Sequence, residues 1–321
     1  MYRVIVSLLL LAAAASADAR TALLKRPGGG SAAAVGFRAA LSTTELPRWP
    51  IEMRSVDELR KLCLPATCER WDRLELALQR AAQWMASYSE GKPRFDAAVA
   101  LSQIRQTVDS DALRAAFEAA RAIADRDQDH PHRRFWQPDL QAPASATSRW
   151  PVPTAPGKRI GSNYVLSEAL FCRESGWRPE TMVYVCGIMR DQGGYESTHA
   201  LWGLAIAHQN GCIKDEDYAP CALSLQEELA KAQPLDFRPQ ATLDIDLYAE
   251  RVLQSLLTGT TNPAVDTWAE TLLRLQNDDG SWGMRRDGEE PYYRYHATMM
   301  STWAAAEWYR RFVAYPQLRP R

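Results

Sequence analysis

Two stretches of this 321-residue sequence place histidine, tyrosine and carboxylates close enough together for acid–base work. The first, Arg190 to Ala207, reads RDQGGYESTHALWGLAIA and carries Tyr195, Glu196, His199 and Trp202. The second, Gln276 to Trp308, carries Asp278, Asp279, Tyr295 and His296. A His and Tyr pair can abstract a proton beside a uronate and return it, and paired carboxylates can hydrolyse a glycosidic bond. A third element is Leu243-Asp244-Ile245-Asp246-Leu247, whose two aspartates can face a ligand or simply favour the first turn of a helix through its dipole. The candidate catalytic residues are His199, His296, Glu196, Tyr195 and Tyr295. Asp278, Asp279, Asp244, Asp246 and Trp202 are candidates for ligand binding. The competing reading makes them capping and turn residues, since Asp, Gly and Glu are expected at helix starts in any case.

The elements that must position these residues are helical. Trp71, Leu74, Leu78, Ala81 and Met85 share one helix face, after a capping box at Ser55 and Glu58. Leu113, Phe117, Ala120 and Ile123 share another. The two His-bearing stretches read as copies of one unit: the end of a helix, a Gly and aromatic turn (Gly193, Gly194, Tyr195; Gly280, Ser281, Trp282), then His-Ala opening a small-residue helix. The second copy inserts about ten residues between turn and His, which loop length absorbs at modest entropic cost. Helices near 218–232 and 244–257 lie between the copies, so the spacing of about 87 residues spans two hairpins of about 43 each, a length typical of helical repeats.

The turn Gln276-Asn-Asp-Asp-Gly280-Ser-Trp282 fits Q-x-x-x-G-x-W, the repeat of squalene and hopene cyclases, shared in looser form by protein prenyltransferase beta subunits. Asn262 as cap, Pro263 as first helical residue and the face Val265, Trp268, Leu272 and Leu275 precede it as a helix should. The stretch 178–312 thus resembles those families, although the earlier copy has Met189 in place of Gln. The resemblance implies an all-α fold, an α/α toroid of paired helices. In it Gln276, Gly280 and Trp282 are structural: Gln bonds backbone ends of the neighbouring hairpin and Trp stacks across the turn. It also puts Asp246 where class II cyclases carry the proton donor of D-x-D-D, with Leu247 in place of the last Asp. Tyr295-His296 resembles the turn that carries the zinc-binding His of prenyltransferase beta subunits. Their other ligands are an Asp and a Cys two residues apart, and no Asp-x-Cys exists in this sequence. Neither a metal nor a cofactor is expected.

The remainder of the sequence bears on compartment and partners. Arg3, the apolar run Val4 to Ala15 and the small residues up to Ala19 form a signal-peptide pattern with cleavage after Ala17 or Ala19. The expected organisation is signal peptide 1–19, flexible leader 20–50, N-terminal helical hairpins 51–134, proline-rich crossover 135–160 and toroid hairpins 161–321, with 51–321 as one domain. An even six cysteines in an exported chain favour disulfides. Of fifteen possible pairings, Cys63 with Cys68 and Cys212 with Cys221 are favoured because each bracket encloses a proline, which leaves Cys172 with Cys186. Asp125, Asp127, Asp129, His130 and His132 lack the Gly and Glu of a calcium loop and read as a solvated helix end. A net charge of -1 with no long basic run excludes nucleic acid as the main ligand, and no later run is long enough for a membrane span. The expected partner is a small molecule, glycan or lipid, or a protein. The leading expectation is a secreted or periplasmic toroid that binds a ligand in its centre without catalysis or with an unknown reaction. The alternative is a polysaccharide lyase or glycoside hydrolase-like enzyme.

Overall fold

The computed structural model describes residues 65–90, 93–142, 162–260, 262–284 and 289–314. The signal peptide, the leader, the Ser55 and Glu58 cap, the side chains of Cys63, Cys68 and Trp71, and the prolines between 143 and 160 lie outside them. The described chain is all helical, with no strand. Its helices are α1 (Pro65–Ala86), α2 (Phe95–Thr107), α3 (Asp111–Ala124), a 3-10 turn (Pro131–Phe135), α4 (Asn163–Leu170) and α5 (Cys172–Ser175). Next comes α6, which starts at Pro179–Val183, widens into a π turn at Tyr184–Met189 and closes at Arg190–Gln192. Then follow α7 (Gly194–Gln209), α8 (Asp215–Ala232), α9 (Thr242–Leu257), α10 (Ala264–Arg274) and α11 (Pro291–Ala314). Among the described residues no helix is long and apolar enough to cross a membrane.

Apolar spacing and caps account for the elements. Leu74, Leu78, Ala81 and Met85 on α1 are buried, as are Leu113, Ala116, Phe117 and Ala120 on α3. The Ser110 hydroxyl accepts from the Leu113 N–H at 3.2 Å and starts α3, while Asn262 Oδ1 accepts from Ala264 N–H at 2.9 Å and starts α10. Val265, Trp268 and Leu272 form the buried face of α10. From Tyr295 to Tyr309 α11 is buried on nearly every side, which marks an interior helix. It packs against α1, α2, α9 and α10. Further contacts join α9 to α7 and α7 to α4, and the 3-10 turn touches both α4 and α2.

The Q-x-x-x-G-x-W turn holds distant segments together. Gln276 Nε2 donates to the Gly280 carbonyl at 2.9 Å and to the Ala77 carbonyl of α1 at 2.8 Å. Trp282 is wholly buried, its Nε1 donates to the Leu272 carbonyl at 2.7 Å, and its N–H reaches Thr298 of α11 at 2.9 Å. Such bonds contribute about 1 kcal/mol each, and burial of the indole contributes about 3 kcal/mol more. Gly280 is required on two grounds: its φ is 91°, and a Cβ there would sit 2.5 Å from the Arg80 carbonyl oxygen.

The disulfide pairing differs from the expected one. Cys172 bonds Cys212, and Cys186 bonds Cys221. The pairing through bracketing prolines fails because Pro220 is inside α8 rather than in a connection, so Cys221 faces the π turn of α6 that packs on α8. Cys172 follows α4, which lies along α7, and so meets Cys212 just past the end of α7.

Two outcomes test this framework. Non-reducing peptide mapping should recover Cys172 linked to Cys212 and Cys186 to Cys221, with no Cys212–Cys221 peptide. Gly280→Ala should cost about 3 kcal/mol in chemical denaturation, because strain and a backbone clash add. Gly211→Ala, also at positive φ but facing open space, should cost only about 1 kcal/mol.

Candidate functional site

Residues of α2, α4, α7, α9 and α11 line a cavity of about 460 Å³, completed by the 3-10 turn. His199 and His296 both line it, as do Tyr195, Trp202 and Asp246. The two histidines do not open their helices: α7 begins at Gly194 and α11 at Pro291, so each His occupies the second turn at the same offset. Helix geometry then aligns the rest. Tyr195, Thr198, His199 and Trp202 fall on one face of α7, and Tyr292, His296, Met299 and Trp303 fall on one face of α11. Asp246, Glu250 and Gln254 form a stripe at i, i+4 and i+8 on α9.

Asp246 links three of these helices. Its Oδ2 accepts from the Tyr195 hydroxyl at 2.7 Å, and its Oδ1 lies 2.7 Å from His296 Nδ1. On the other side of the ring, His296 Nε2 is 3.5 Å from Asp96 Oδ2, and Asp96 accepts from the Tyr292 hydroxyl. Burial alone would drive the imidazolium off, but Asp246, its hydrogen bond, Asp96 and Glu250 outweigh it and raise the His296 pKa to about 10. Burial, then Asp246, hold the Tyr195 phenol far above its ordinary value, so it stays a donor. Burial and Asp96 do the same to Tyr292.

Glu250 sits one turn below. It is 4% exposed, and its Oε2 accepts from Thr198 at 2.6 Å. Burial is the main cause that raises its pKa towards the neutral acid, with Asp246 adding to it against the opposing pull of His199. His199 Nδ1 lies 2.8 Å from the Tyr195 carbonyl, which can only accept. That contact places the proton of a neutral ring on Nδ1 and leaves Nε2 as the basic nitrogen. Asp246, Glu250 and His296 each offer a ligand atom within 4.8 Å of the other two, a mixed oxygen and nitrogen set that could hold a metal ion.

No family model, curated protein or solved structure matches this chain.

Five of the ten proposed residues come together at the cavity: His199, His296, Tyr195, Asp246 and Trp202. The other five lie elsewhere. Tyr295 is fully buried on another face of α11, 4.6 Å from the Tyr88 ring and 6.0 Å from that of Trp84. Asp244 Oδ2 caps α9 by accepting from Gln240 and Ala241 N–H groups at 2.7 and 2.8 Å. Asp279 accepts from Ser281 in the Q-x-x-x-G-x-W turn and pairs with Arg294, while Asp278 is exposed beside it. Glu196 is not among the residues that line the cavity. His130 and His132, read as a solvated helix end, instead stand on the cavity wall: the 3-10 turn carries them inward, where Phe95 stacks on His130 at 3.6 Å. Burial lowers the His132 pKa to about 4. Asp96 and Glu250 escaped the sequence reading. For Glu250 the usable signal was the polar stripe Asp246, Glu250, Gln254 running between the apolar residues Ile245, Ala249, Val252 and Leu253 of the same helix.

These shifts have opposite signs in pH. His296, raised from 6.5 to about 10, stabilises the fold fully below about 6.5 and loses that contribution as pH climbs through about 10. His132, lowered to about 4, stabilises above 6.5 and loses its contribution as pH falls towards about 4. In chelator-treated protein the His296 ring resonances should remain those of imidazolium at about pH 8, where a free His is neutral. Asp246→Asn should bring their midpoint down, and stability should decline more steeply above neutrality in the parent than in His296→Gln.

Proposed function

We propose that this chain is an exported α/α toroid that binds a small organic ligand in its central cavity and acts on it by proton transfer. The observation that carries this reading is the convergence of His199, His296, Tyr195 and Asp246, from three separate helices, on one cavity of about 460 Å³. Ligand pockets run from about 300 to 1,000 Å³ and combine apolar walls with a few convergent polar groups. Here Trp202, Met299, Met300 and Trp303 form such a wall. In favour of a ring is the succession of contacts α2, α11, α9, α7, α4, closed through the 3-10 turn, together with the Q-x-x-x-G-x-W staple to α1. In favour of export are the N-terminal pattern and two disulfides.

The division of labour follows from the geometry. His199, with its proton on Nδ1, presents Nε2 as the base. His296, an imidazolium between Asp246 and Asp96, stabilises developing negative charge or returns a proton. Asp246, with both oxygens engaged, orients Tyr195 and His296 and is a positioning residue. This set suits proton abstraction beside a carboxylate, as in a polyuronate lyase, better than glycoside hydrolysis, because Asp246 and Glu250 stand a turn apart on one face of α9 and do not flank a bond from two sides. A ligand-binding toroid without turnover is the second reading, favoured by the engagement of both Asp246 oxygens within the protein.

The test is turnover of polyuronates followed by the absorbance of unsaturated ends, with neutral glucans as controls. His199→Gln should lower the rate by about 100-fold or more with the helical circular dichroism unchanged. Polyuronate binding without product would move the conclusion to the non-catalytic reading, and neither binding nor product would overturn both.

A further inference from the structure

We propose that Asp246, Glu250 and His296 bind one divalent transition-metal ion of the zinc or manganese class on the wall of this cavity. The inference rests on the cavity being the working site; the ion would displace the proton between His296 Nδ1 and Asp246 Oδ1, so in the loaded protein it, rather than an imidazolium, carries the positive charge beside the ligand. No linear motif announces the set: two ligands are a turn apart on α9 and the third comes from α11, yet their donor atoms lie within 4.8 Å of one another. An ion with bonds of about 2.1 Å holds its donors about 3 to 3.5 Å apart, so small side-chain adjustments suffice. Three protein ligands, two oxygens and an imidazole nitrogen, leave coordination positions open for water or substrate, the pattern of catalytic rather than structural sites.

Three further observations point to a cation. Among the described residues neither Asp246 nor Glu250 pairs with a lysine or arginine; Arg251, on the same helix, reaches instead to the Ala232 carbonyl of α8. Two carboxylates at 3% and 4% exposure therefore have only imidazoles as charge partners, His296 at 2.7 Å from Asp246 and His199 at 3.8 Å from Glu250, and Asp96 adds a third carboxylate beyond His296. The outer contacts are those that orient metal ligands: Tyr195 holds Asp246 Oδ2, Thr198 holds Glu250 Oε2, and Asp96 faces the far nitrogen of His296. Gln254, 3% exposed, continues the stripe along the same cavity, and its Oε1 has no hydrogen-bond partner.

The test uses the full disulfide-intact chain, stripped with EDTA and dialysed, then titrated with Co²⁺ by visible absorption and with Zn²⁺ by calorimetry. One equivalent should bind. Glu250→Gln and His296→Ala should each weaken binding by about 10-fold or more. His208→Ala should change nothing, although His208 forms an exposed pair with Asp215 at 2.7 Å. Should His296→Ala fail to fold, the near-isosteric Glu250→Gln and Asp246→Asn carry the test. Absence of binding, equal affinity in those variants, or loss of binding in His208→Ala would overturn the site. Polyuronate turnover by stripped protein that binds no Co²⁺ overturns the site and leaves the proton-transfer reading standing. Co²⁺ bound at one equivalent without turnover supports the site and counts against that reading.

Discussion

The cavity depends on burying Asp246. A carboxylate at 3% exposure is tolerated only if its lone pairs are satisfied, and here the partners come from two other helices, Tyr195 on α7 and His296 on α11. The interaction therefore fixes the relative rotation of α7, α9 and α11, and with it which faces line the cavity. Removal of one partner would leave a buried charge or donor uncompensated, a loss of about 3 to 5 kcal/mol for an ion pair. Such a cluster is a costly way to build a core. An apolar triplet would pack as well, so its presence points to chemistry.

The surroundings hold this geometry still. On one side Gln276, Gly280 and Trp282 tie the end of α10 to α1 and α11. On the other, the two disulfides join the α4 end to the α7 end and the π turn of α6 to α8. His199 and His296 thus stand on helices braced from outside, which lets a polar cluster persist where relaxation would otherwise let water in. The indole of Trp202, stacked on Phe135 and edge-on to Trp303 at 5.4 Å, closes the apolar side of the same cavity.

Local signals in the chain carried much of this. Periodicity located the faces of α1, α3 and α10, Asn262 marked the start of α10, and the paired Gly-aromatic-His stretches brought His199 and His296 to one cavity. These succeed because capping, helical period and tight-turn sterics act over a few residues. Repeat similarity erred where the copies differ in length: Tyr295 precedes His296 by one residue, and one residue of helix turns a side chain by about 100°, away from the cavity and into the core against α1.

By itself the sequence determined the helical character of the described residues, the cysteines available for bonding, the turn built on Gln276, Gly280 and Trp282, and the two matched histidines. Only the tertiary structure decided that Asp96, Glu250, His130 and His132 join them, that Cys172 meets Cys212, and that Asp246 rather than Asp244 faces inward. Each of these depends on which helix packs against which, and so on contacts between residues far apart in the chain. Helix packing also sets the charge of His296, because the carboxylates that hold its proton, Asp96 and Asp246, belong to α2 and α9 while the imidazole belongs to α11.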